Sequence, residues 1–417
     1  MPQSVDVANE DAAQPLSGLR VLDLSQVMAG PFCCMLLGDM GADVIKVEPP
    51  TGDQTRHSMG YRMKGEDTAG FLALNRNKRS VVLDLKTAAG RAIFYDLVAT
   101  ADILVENARP GVMTRLEADY ASLSAKNPRL IYASISGFGQ TGPWSERPGY
   151  DLIAQAMSGI MSITGEPGGA PVKCGIPVTD LGAGLFAAFS IVNAVLARQR
   201  TGRGQHIDTS LYDAGVALSV WESTEYWASG TPPKPTGSAH RMSAPYQAFE
   251  ASDGAFVIGA GNPKLWALLC KAIGREDLMD REAFKDGESR LRNVKLVEAA
   301  LQPIFREKSV THWVDTLLAA GVPAGPINDY EAALGNPHAE ARGAVITFDH
   351  PVEGTVRALG FPAKMSATPA TVRRVPPLLG EHTRALLAEL GVDENAERLA
   401  DAGAFGPTAP WRKEGAQ

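Results

Sequence analysis

The stretch from residue 18 to residue 50, GLRVLDLSQVMAGPFCCMLLGDMGADVIKVEPP, carries the pattern that decides the fold. Its first part, GLRVLDLS, is an apolar run with β-branched character, which predicts a strand. PFCCMLLGDMG predicts a helix ended by a glycine, and ADVIKVEPP predicts a second strand that two prolines stop. The stretch therefore predicts a βαβ unit, in which a helix connects two parallel strands.

The same alternation continues toward the C-terminus. KRSVVLDLK (78–86), DILVENARPG (102–111) and RLIYASISGFG (129–139) predict further strands. GRAIFYDLVATA (90–101) and VMTRLEADYASLSAKN (112–127) predict the helices between them. Strands and helices that alternate in this way indicate an α/β fold with a mainly parallel sheet and helices on both faces.

The central part of the chain holds a long apolar helix. Before the long helix, DLIAQAMSGIM (151–161) predicts a shorter helix, and PVKCGIPVT (171–179) then predicts a strand. The apolar run Leu181 to Ala197 predicts a buried helix, with Gly202 as its C-cap. HIDTSLYDAGVALSVWESTEYWAS (206–229) then predicts one strand and one helix.

Breaks in the pattern divide the chain into domains. TPPKPTGSAHRM (231–242) interrupts the alternation, and YQAFEASDGAFVIGAG (246–261) predicts a hairpin that begins a smaller α+β domain. GVPAGPIND (321–329) predicts the exit from that domain, after which short strands and a helix rejoin the large one. The expected division is a tail (1–15), the first part of a large domain (16–235), a small domain (236–330) and a return to the large domain with a C-terminal tail (331–417).

Composition narrows the class of protein. A chain of 417 residues with 45% apolar residues is large enough for two domains. The net charge of −7, with no run of basic residues, argues against a surface that binds nucleic acids in general.

The cysteines and the apolar segments indicate the compartment. Four cysteines without a CxxC spacing favour a reducing compartment. The first 15 residues are polar and acidic, and the apolar run 181–197 is shorter than a membrane span. We therefore expect a soluble, cytoplasmic protein with no membrane partner.

The short motifs that usually indicate a cofactor or metal site are absent or lie in the wrong structural context. Gly137-x-Gly139-x-x-Gly142 has the spacing of a dinucleotide fingerprint, but Pro143 follows where a helix should begin. The seven histidines are scattered singly, and no motif typical of a metalloprotease or a phosphate-binding loop occurs. The sequence predicts neither a metal site nor a bound nicotinamide.

Asp180 lies between the predicted strand and the long helix, at the expected N-cap. An aspartate there can serve only as a cap. It can also be a nucleophile, because the helix dipole favours its anion, and Gly182 and Gly184 leave backbone N–H groups accessible. The residues alone leave both interpretations open.

A chain of motifs resembles the class III CoA-transferases, the family of formyl-CoA, carnitine and bile-acid CoA-transferases. The resemblance runs from about residue 16 to residue 390. The matching strings are PLSGLRVLDLSQVMAGPF, LGDMGADVIKVEPPTGDQTR, NRNKRSVVLDLK, VENARPGVMTRL, SISGFGQTGP, RPGYD, VTDLGAG, RQRTGRGQHIDTSLYD and PPLLGEHT. GYDLIAQAMSGIMSITG, PVTDLGAG and GSAHRMSAPYQAF look most similar to the succinyl-CoA:glutarate branch, which acts on dicarboxylates.

The resemblance implies a fold and a reaction. Each chain should form a Rossmann-like large domain, built from N- and C-terminal segments, and a smaller domain, with two chains interlocked as a homodimer. Asp180 in VTDLG matches the catalytic aspartate, which passes through an aspartyl anhydride and an aspartyl-CoA thioester. Coenzyme A and acyl-CoA are then substrates, together with a small carboxylic acid, and no tightly bound cofactor is needed.

The resemblance also implies a substrate pocket. Tyr150 and Asp151 in PGYD match the residues that line the acyl pocket, although Asp151 can also cap the following helix. The turn that contains Gln26, Met28 and Ala29 should lie beside the thioester. The formyl-CoA branch has glutamine where Met28 stands, which argues against oxalate or formate as substrate.

Two glycines and one arginine are assigned to the same pocket by their position in the sequence. A flexible run of glycines covers the active site in the formyl-CoA branch and is absent here, so Gly259 and Gly261 are assigned by position. Arg241 is a candidate, by position alone, for binding the far carboxylate of a dicarboxylate.

Three basic residues match the CoA-binding positions, namely Lys86, Arg109 and Arg115, whose cations would pair with phosphate groups. Two other functions stay open. The family includes α-methylacyl-CoA racemases, but Tyr150 replaces their histidine, and a phenol is protonated and a poor base at neutral pH. A non-catalytic CoA-binding protein would not require Asp180.

Overall fold

A computed structural model of the chain describes residues 3–4, 14–65, 67–407 and 409. Most of the predicted N-terminal tail (1–15) and the end of the predicted C-terminal tail lie outside the described residues.

The chain forms two compact units. The large unit comprises residues up to 160, 173–224 and 337 onward, and the small unit comprises residues 161–172 and 225–336. The sequence analysis placed the corresponding boundaries at residues 235 and 330, and did not separate residues 161–172 from the large domain.

The helices and strands follow in chain order. The first part of the chain contains β1 (Gln3–Ser4), β2 (Arg20–Asp23), α1 (Ala29–Asp39), β3 (Asp43–Glu48), α2 (Gln54–His57), α3 (Ala69–Leu74), β4 (Lys78–Val82), α4 (Ala88–Thr100), β5 (Ile103–Glu106), α5 (Val112–Arg115), α6 (Tyr120–Lys126) and β6 (Ile131–Ser136). The central part contains α7 (Asp151–Met157), α8 (Ile160–Ile163), α9 (Val178–Thr201), β7 (His206–Ser210), α10 (Leu211–Leu218) and α11 (Val220–Ser229).

The remaining elements complete both units. They are β8 (Tyr246–Glu250), β9 (Ala255–Gly259), α12 (Pro263–Ala272), α13 (Gly287–Arg292), α14 (Val294–Phe305), α15 (Val310–Ala319), β10 (Ala324–Pro326), α16 (Tyr330–Gly335), α17 (Pro337–Ala341), β11 (Val345–His350), β12 (Gly354–Leu359), α18 (Thr383–Glu389) and α19 (Ala396–Asp401). Short 3₁₀ helices occupy Glu276–Asp280, Glu282–Phe284 and Asp393–Asn395.

A six-stranded parallel sheet in the large unit has the order β4-β3-β2-β5-β6-β7. The chain moves outward from β2 to β4 and then returns to place β5 on the other side of β2, so the strand order reverses between β2 and β5. Strands β4, β5 and β6 are buried along their whole length because helices cover both faces of the sheet. The predicted βαβ unit and mainly parallel sheet are confirmed, and ligands bind such sheets beyond the carboxyl ends of the strands, where the order reverses.

Two predicted helices are interrupted. Residues 112–127 form α5 and α6 instead of one helix, because Glu117 has a φ of +54° and Asp119 begins a new helix by accepting a hydrogen bond from the Ser122 N–H. Residues 206–229 form β7 followed by two helices, since Ser219 separates α10 from α11. The prediction of a single helix was wrong in both places.

Two loop assignments also need correction. Residues 171–177 form no strand and run irregularly into α9. Residues 324–326, expected to be an exit loop, form β10, in which Ala324 lies opposite Ile258 of β9. Glycine and proline hide this strand in the sequence, because its pairing is made by a segment about 65 residues earlier in the chain.

The small unit has its own core. The predicted hairpin of β8 and β9 is confirmed as an antiparallel pair, and β10 extends it to three strands. Phe249, Phe256, Phe305 and Trp313 pack together in this core, with the rings of Phe249 and Phe305 5.0 Å apart.

The C-terminal part of the chain protects the edge of the large sheet. Strand β4 is an edge strand, and the backbone N–H of His382 donates a hydrogen bond of 3.0 Å to its Ser80 carbonyl. The Ser80 hydroxyl accepts a hydrogen bond of 2.8 Å from the Gly380 N–H. Leu386 and Phe405 are buried in the core on this side of the sheet. Residues from both ends of the chain thus build one unit.

Helix α9 is longer and less buried than the sequence predicted. It runs for 24 residues from Val178 to Thr201, and Gly202 ends it with a φ of +71°, as expected for a C-cap. One face packs into the core, whereas Leu185 and Phe189 on the opposite face are 53% and 70% exposed. In the described part of the chain, it is the one helix long and apolar enough to cross a membrane, a property that core helices of soluble proteins share.

Candidate active site

Asp180 is the third residue of α9 and lies inside its first turn. The helix starts at Val178, and Pro177 occupies the N-cap position without a side-chain hydrogen bond. The prediction that Asp180 ends a strand and caps the helix was therefore wrong. Its carboxylate is not engaged as a cap, and its position near the positive end of the helix dipole favours an anion.

Asp151 supplies the missing cap. Its Oδ1 accepts hydrogen bonds from the Thr179 backbone N–H (3.0 Å) and from the Thr179 hydroxyl (2.8 Å). Its Oδ2 accepts one of 2.7 Å from Gln155 Nε2, while Gln155 Oε1 accepts one of 2.8 Å from the Cys174 N–H. Asp151 and Gln155 thus tie the start of α9 and the irregular segment before it to α7.

Tyr150 is positioned by a contact between two glycines. A Cβ on Gly149 would lie 2.6 Å from the Gly137 Cα, so the chain before Tyr150 approaches the end of β6 more closely than any side chain would permit. The Tyr150 side chain is 65% exposed. The loop that carries Tyr150 and Asp151 therefore begins at the carboxyl edge of the sheet.

The environment of Asp180 changes its acidity. Burial raises the pKa of Asp180 to about 7, and the negative charge of Asp151 adds to the rise. Within the described residues, no hydrogen-bond donor offsets this effect. A carboxylate held in this way is more basic and less solvated than an ordinary aspartate, which suits a nucleophile.

The turn from Ser25 to Met28 joins β2 to α1, beside the point where the strand order reverses. Asn107 holds it with two hydrogen bonds: the Gln26 N–H donates to Asn107 Oδ1 (2.8 Å), and Asn107 Nδ2 donates to the Gln26 carbonyl (2.7 Å). Val27 has a φ of +70°, a backbone conformation that β-branched residues rarely adopt.

Helix α9 meets the start of α1, directly after this turn, through Gly184. A Cβ on Gly184 would lie 2.7 Å from the Ala29 carbonyl oxygen and 3.0 Å from Phe32 Cδ1. Asp180 lies one helical turn before Gly184. The structure therefore brings the helix that carries Asp180 against Ala29, the residue that directly follows the turn of Gln26 and Met28.

The three predicted CoA-binding residues follow the carboxyl ends of strands. Lys86 comes after β4, whereas Arg109 and Arg115 come after β5, and all three are exposed. The carboxyl ends of parallel strands lie at one edge of the sheet, and the Ser25–Met28 turn, which follows β2, lies at the same edge. Whether these cations bind phosphate stays a prediction.

A small polar cavity of about 60 Å³ lies next to Arg109. Glu106 is buried in its wall, and burial raises the pKa of this carboxyl group to about 7. Ser134, Gln140 and His206 also line the cavity.

Gly259 and Gly261 lie in the small unit. A Cβ on Gly259 would lie 2.8 Å from the Tyr246 ring, and one on Gly261 would lie 1.7 Å from the Ser243 hydroxyl, so close packing requires both glycines. Their part in the site stays a prediction. Arg241, in the same unit, donates hydrogen bonds to the carbonyls of Lys234 and Ile163.

A cavity of about 380 Å³ lies elsewhere in the large unit. Asp39, Arg76 and Lys364 are among its lining residues. Asp39 ends α1, whereas the Gln26 turn precedes it, and a helix of this length spans about 15 Å. This cavity is therefore at the opposite end of α1 from the candidate site.

Three residues that shape the site were not predicted from the sequence, namely Thr179, Gln155 and Asn107. Thr179 and Gln155 gave no signal, because each contacts a residue distant in sequence: Thr179 donates to Asp151, and Gln155 accepts from the Cys174 N–H. Asn107 directly follows strand β5, where parallel sheets place functional side chains, and that position could have indicated it.

Known proteins resemble this chain over most of its length. The model of the family described as CoA-transferase family III matches residues 16–383. The succinyl-CoA:glutarate CoA-transferase of Mus musculus is 40% identical over 396 residues, which cover 94% of this chain and 91% of that protein. The acetyl-CoA:oxalate CoA-transferase of Acetobacter aceti is 42% identical over 383 residues, covering 91% of this chain and 97% of the relative.

A solved structure shows the same fold. The crystal structure of a CAIB/BAIF family protein from Brucella suis matches with a TM-score of 0.82 and 40% identity. The match covers 90% of this chain and 99% of that protein. The similarity therefore extends over both units.

Proposed function

This chain belongs to CoA-transferase family III, and from that membership we propose that it moves coenzyme A from a donor acyl-CoA to a small dicarboxylic acid. Succinyl-CoA or a close analogue is the proposed donor. The observation that carries the proposal is Asp180, a carboxylate of raised pKa in the first turn of α9, a helix that packs against the start of α1 directly after the Ser25–Met28 turn.

In the proposed cycle, an oxygen of Asp180 attacks the thioester carbonyl of the donor. The C–S bond breaks, which leaves an aspartyl mixed anhydride and CoA thiolate. The thiolate then attacks the aspartyl carbonyl and releases the donor acid, giving an aspartyl-CoA thioester. The acceptor carboxylate attacks this thioester and forms a second anhydride, and the freed thiolate attacks its acyl carbonyl. The products are the new acyl-CoA and the Asp180 carboxylate.

The other assigned residues support binding and positioning in this proposal. Lys86, Arg109 and Arg115 would bind phosphate groups of CoA at the carboxyl edge of the sheet. Gln26, Met28 and Ala29 would contact the thioester, and Tyr150 would contact the acyl group. Asp151 would act mainly on Asp180 itself, through its negative charge and its bonds to Thr179.

The relatives indicate the acceptor class. Enzymes named for glutarate and for oxalate are similarly identical to this chain, at 40% and 42%. Both acceptors are dicarboxylates, which favours that class. The argument from Met28 against oxalate rests on one position, so oxalate belongs among the acceptors to be tested.

Two competing functions make different predictions. A racemase needs a second base opposite Asp180, and the residue at the expected position is the exposed phenol of Tyr150. Exchange of the α-hydrogen of a bound acyl-CoA with deuterium would favour that function. A non-catalytic CoA-binding protein would bind CoA without transferring it.

We also propose that the protein acts as a homodimer, as the family resemblance implies, and in the cytoplasm. The exposed apolar face of α9, with Leu185, Phe189 and Leu196, supports contact with a second copy, because soluble monomers rarely expose such a stripe. The free cysteines, of which Cys33 and Cys270 are buried, are consistent with a reducing compartment.

An acceptor screen tests the proposed function. The full-length protein is incubated with succinyl-CoA and, separately, glutarate, itaconate, mesaconate, malate, oxalate or carnitine, and the products are identified by mass spectrometry. We expect CoA transfer to at least one dicarboxylate and none to carnitine. Hydroxylamine added with the acyl-CoA should convert Asp180 to a hydroxamate. If succinyl-CoA supports transfer to none of these acceptors and no adduct forms, the proposal is wrong.

The pH dependence of the reaction should follow Asp180. Because the attacking carboxylate must be ionised, kcat/KM is expected to fall below an apparent pKa of about 7. Replacing Asp151 with asparagine removes a negative charge near Asp180, so the acid limb should move to lower pH. Rates measured between pH 5 and pH 9, with a donor whose own groups do not titrate there, test this. An acid limb unchanged in the variant would contradict the assigned role of Asp151.

A further inference from the structure

A group of buried charged residues lies under the Ser25–Met28 turn. Asp23, Lys46, Asp53 and Lys78 are each at most 1% exposed. They come from three adjacent strands, β2, β3 and β4, and from the N-cap of α2. Charged residues are rarely buried so completely, and the transfer cycle above does not use them.

Lys46 connects this group to the turn. Its Nζ donates a hydrogen bond of 2.9 Å to the Ser25 carbonyl and lies 2.8 Å from Asp53 Oδ2. Asp23 also holds Ser25, since its Oδ1 accepts hydrogen bonds from the Ser25 N–H (3.0 Å) and from the Ser25 hydroxyl. Both backbone polar groups of Ser25 are thus fixed by buried ions.

The remaining contacts complete a neutral network. Lys78 Nζ donates to Asp23 Oδ2 (2.8 Å) and to the Pro31 carbonyl (3.0 Å), which lies in the first turn of α1. Within this group of four, two ammonium groups face two carboxylates, so their charges balance. The neighbouring buried carboxylate of Glu48 accepts a hydrogen bond from the Asp53 N–H and pairs with Arg56. Burial disfavours ionisation of Asp23, but Lys46 and Lys78 outweigh it and lower the pKa of Asp23 to about 2. Asp23 therefore stays ionised at the pH of any CoA-transfer assay.

The turn needs this support because its backbone is strained. Val27 has a φ of +70°, and such a conformation in a β-branched residue persists only when its surroundings hold it. A side chain on Gly30 would lie 2.2 Å from Ser25 Cβ, so the turn also packs tightly against the start of α1. A small displacement of Ser25 would move the residues that face α9.

We propose that Lys46 is a positioning residue of the transfer reaction, because its buried ammonium group holds Ser25 and Asp53 and thereby fixes the turn beside the helix that carries Asp180. Lys46 acts through the backbone and does not itself contact the reacting atoms. The inference rests on the proposed function, in which Asp180 attacks a thioester bound against this turn.

The test replaces Lys46 with methionine, which keeps most of the length of the side chain and removes its charge. We expect kcat to fall about 100-fold, as for other small misplacements in active sites, with less than about a threefold change in KM. The matched control is Arg76→Met, which removes another buried cation, paired with Asp39 at 2.6 Å at the opposite end of α1. Both variants should lose thermal stability, but Arg76→Met should keep kcat within about twofold of wild type.

The double variant Lys46→Met/Asp53→Asn provides a second test that does not depend on the single variant folding. It removes one cation and one anion, so the buried charges stay balanced, while the asparagine side chain introduced at position 53 can still cap α2. We expect it to fold and to keep the low kcat, because Ser25 is still released. Wild-type kcat in either folded variant, or an equal loss in Arg76→Met, would overturn the inference.

Failure of the proposed function gives a different result. In that case the wild-type protein transfers no CoA and forms no Asp180 hydroxamate. Hydrogen exchange at Gln26 and Val27 then still tests the positioning claim, since it should be faster in Lys46→Met than in wild type and unchanged in Arg76→Met. Equal exchange in all three proteins would contradict it.

Discussion

Replacing Asp180 with asparagine is expected to lower kcat for CoA transfer by at least about a thousandfold, because the amide is a far weaker nucleophile than the carboxylate. The side chain keeps its size, so substrate binding should change little. Initial rates with succinyl-CoA and the best acceptor measure the loss. The hydroxylamine adduct at residue 180 should disappear in the same variant.

The matched control for this experiment is Asp96→Asn. Asp96 is exposed on α4 in the same unit, and its replacement should leave the transfer rate within about twofold of wild type. A transfer rate above about one-tenth of wild type in Asp180→Asn would exclude Asp180 as the nucleophile.

The inactive variant should also be more stable than the wild type. Burial holds the pKa of Asp180 near 7, above its ordinary value of 3.8, so the folded state disfavours the ionised carboxylate. Its unfavourable contribution therefore grows as the pH rises from about 4 to about 7. Asp180→Asn should have the higher free energy of unfolding at pH 8, and the difference should vanish below pH 4. This pattern would show that the loss of activity is not caused by unfolding.

Gly184→Ala is expected to reduce both stability and transfer. The added methyl group would meet the Ala29 carbonyl oxygen at 2.7 Å, so α9 or the start of α1 must move. Overpacking of this kind costs about 1–3 kcal/mol in the free energy of unfolding. Because α9 carries Asp180, the same displacement should lower kcat at least about tenfold. Chemical denaturation and steady-state kinetics measure the two effects.

Gly182→Ala is the control for the helix itself. Its methyl group would meet Leu218 Cδ1 at 2.9 Å, the end of a flexible side chain that can move aside. Alanine also favours a helix over glycine by up to about 1 kcal/mol. This variant should be at least as stable as wild type. If both variants behave alike, the approach of α9 to Ala29 is not what requires glycine at position 184.

The large sheet could be predicted from sequence because its signal is local. The apolar runs at Val21 and Val44 reflect strands buried on both faces. The glycine-ended helix between them is the connection that two parallel strands require. Strand β10 and the break at Glu117 could not be predicted. Their causes are a pairing with a distant strand and a backbone conformation that the residue type does not announce.

The site shows the same division. Asp180 was identified through a motif, and its residue type sufficed for a hypothesis of nucleophilic chemistry. Its position within the helix was wrong because the cap comes from Asp151, 28 residues away from Thr179. The exposure of Phe189 was also not predicted, because an apolar sequence alone does not distinguish a helix face that packs into the core from one that is exposed.

The interleaved chain ends described above affect the order of folding during synthesis. Arg56, in the first βαβ region, donates a hydrogen bond to the Pro377 carbonyl, and Phe405 completes the core beneath the edge strand. A ribosome must therefore finish nearly the whole chain before the large unit can close, although most of its sheet emerges first. The small unit, complete by residue 336, is free to fold earlier. We therefore expect the usual N-terminal-first order to be reversed, with the sheet that carries the candidate active site becoming protected last.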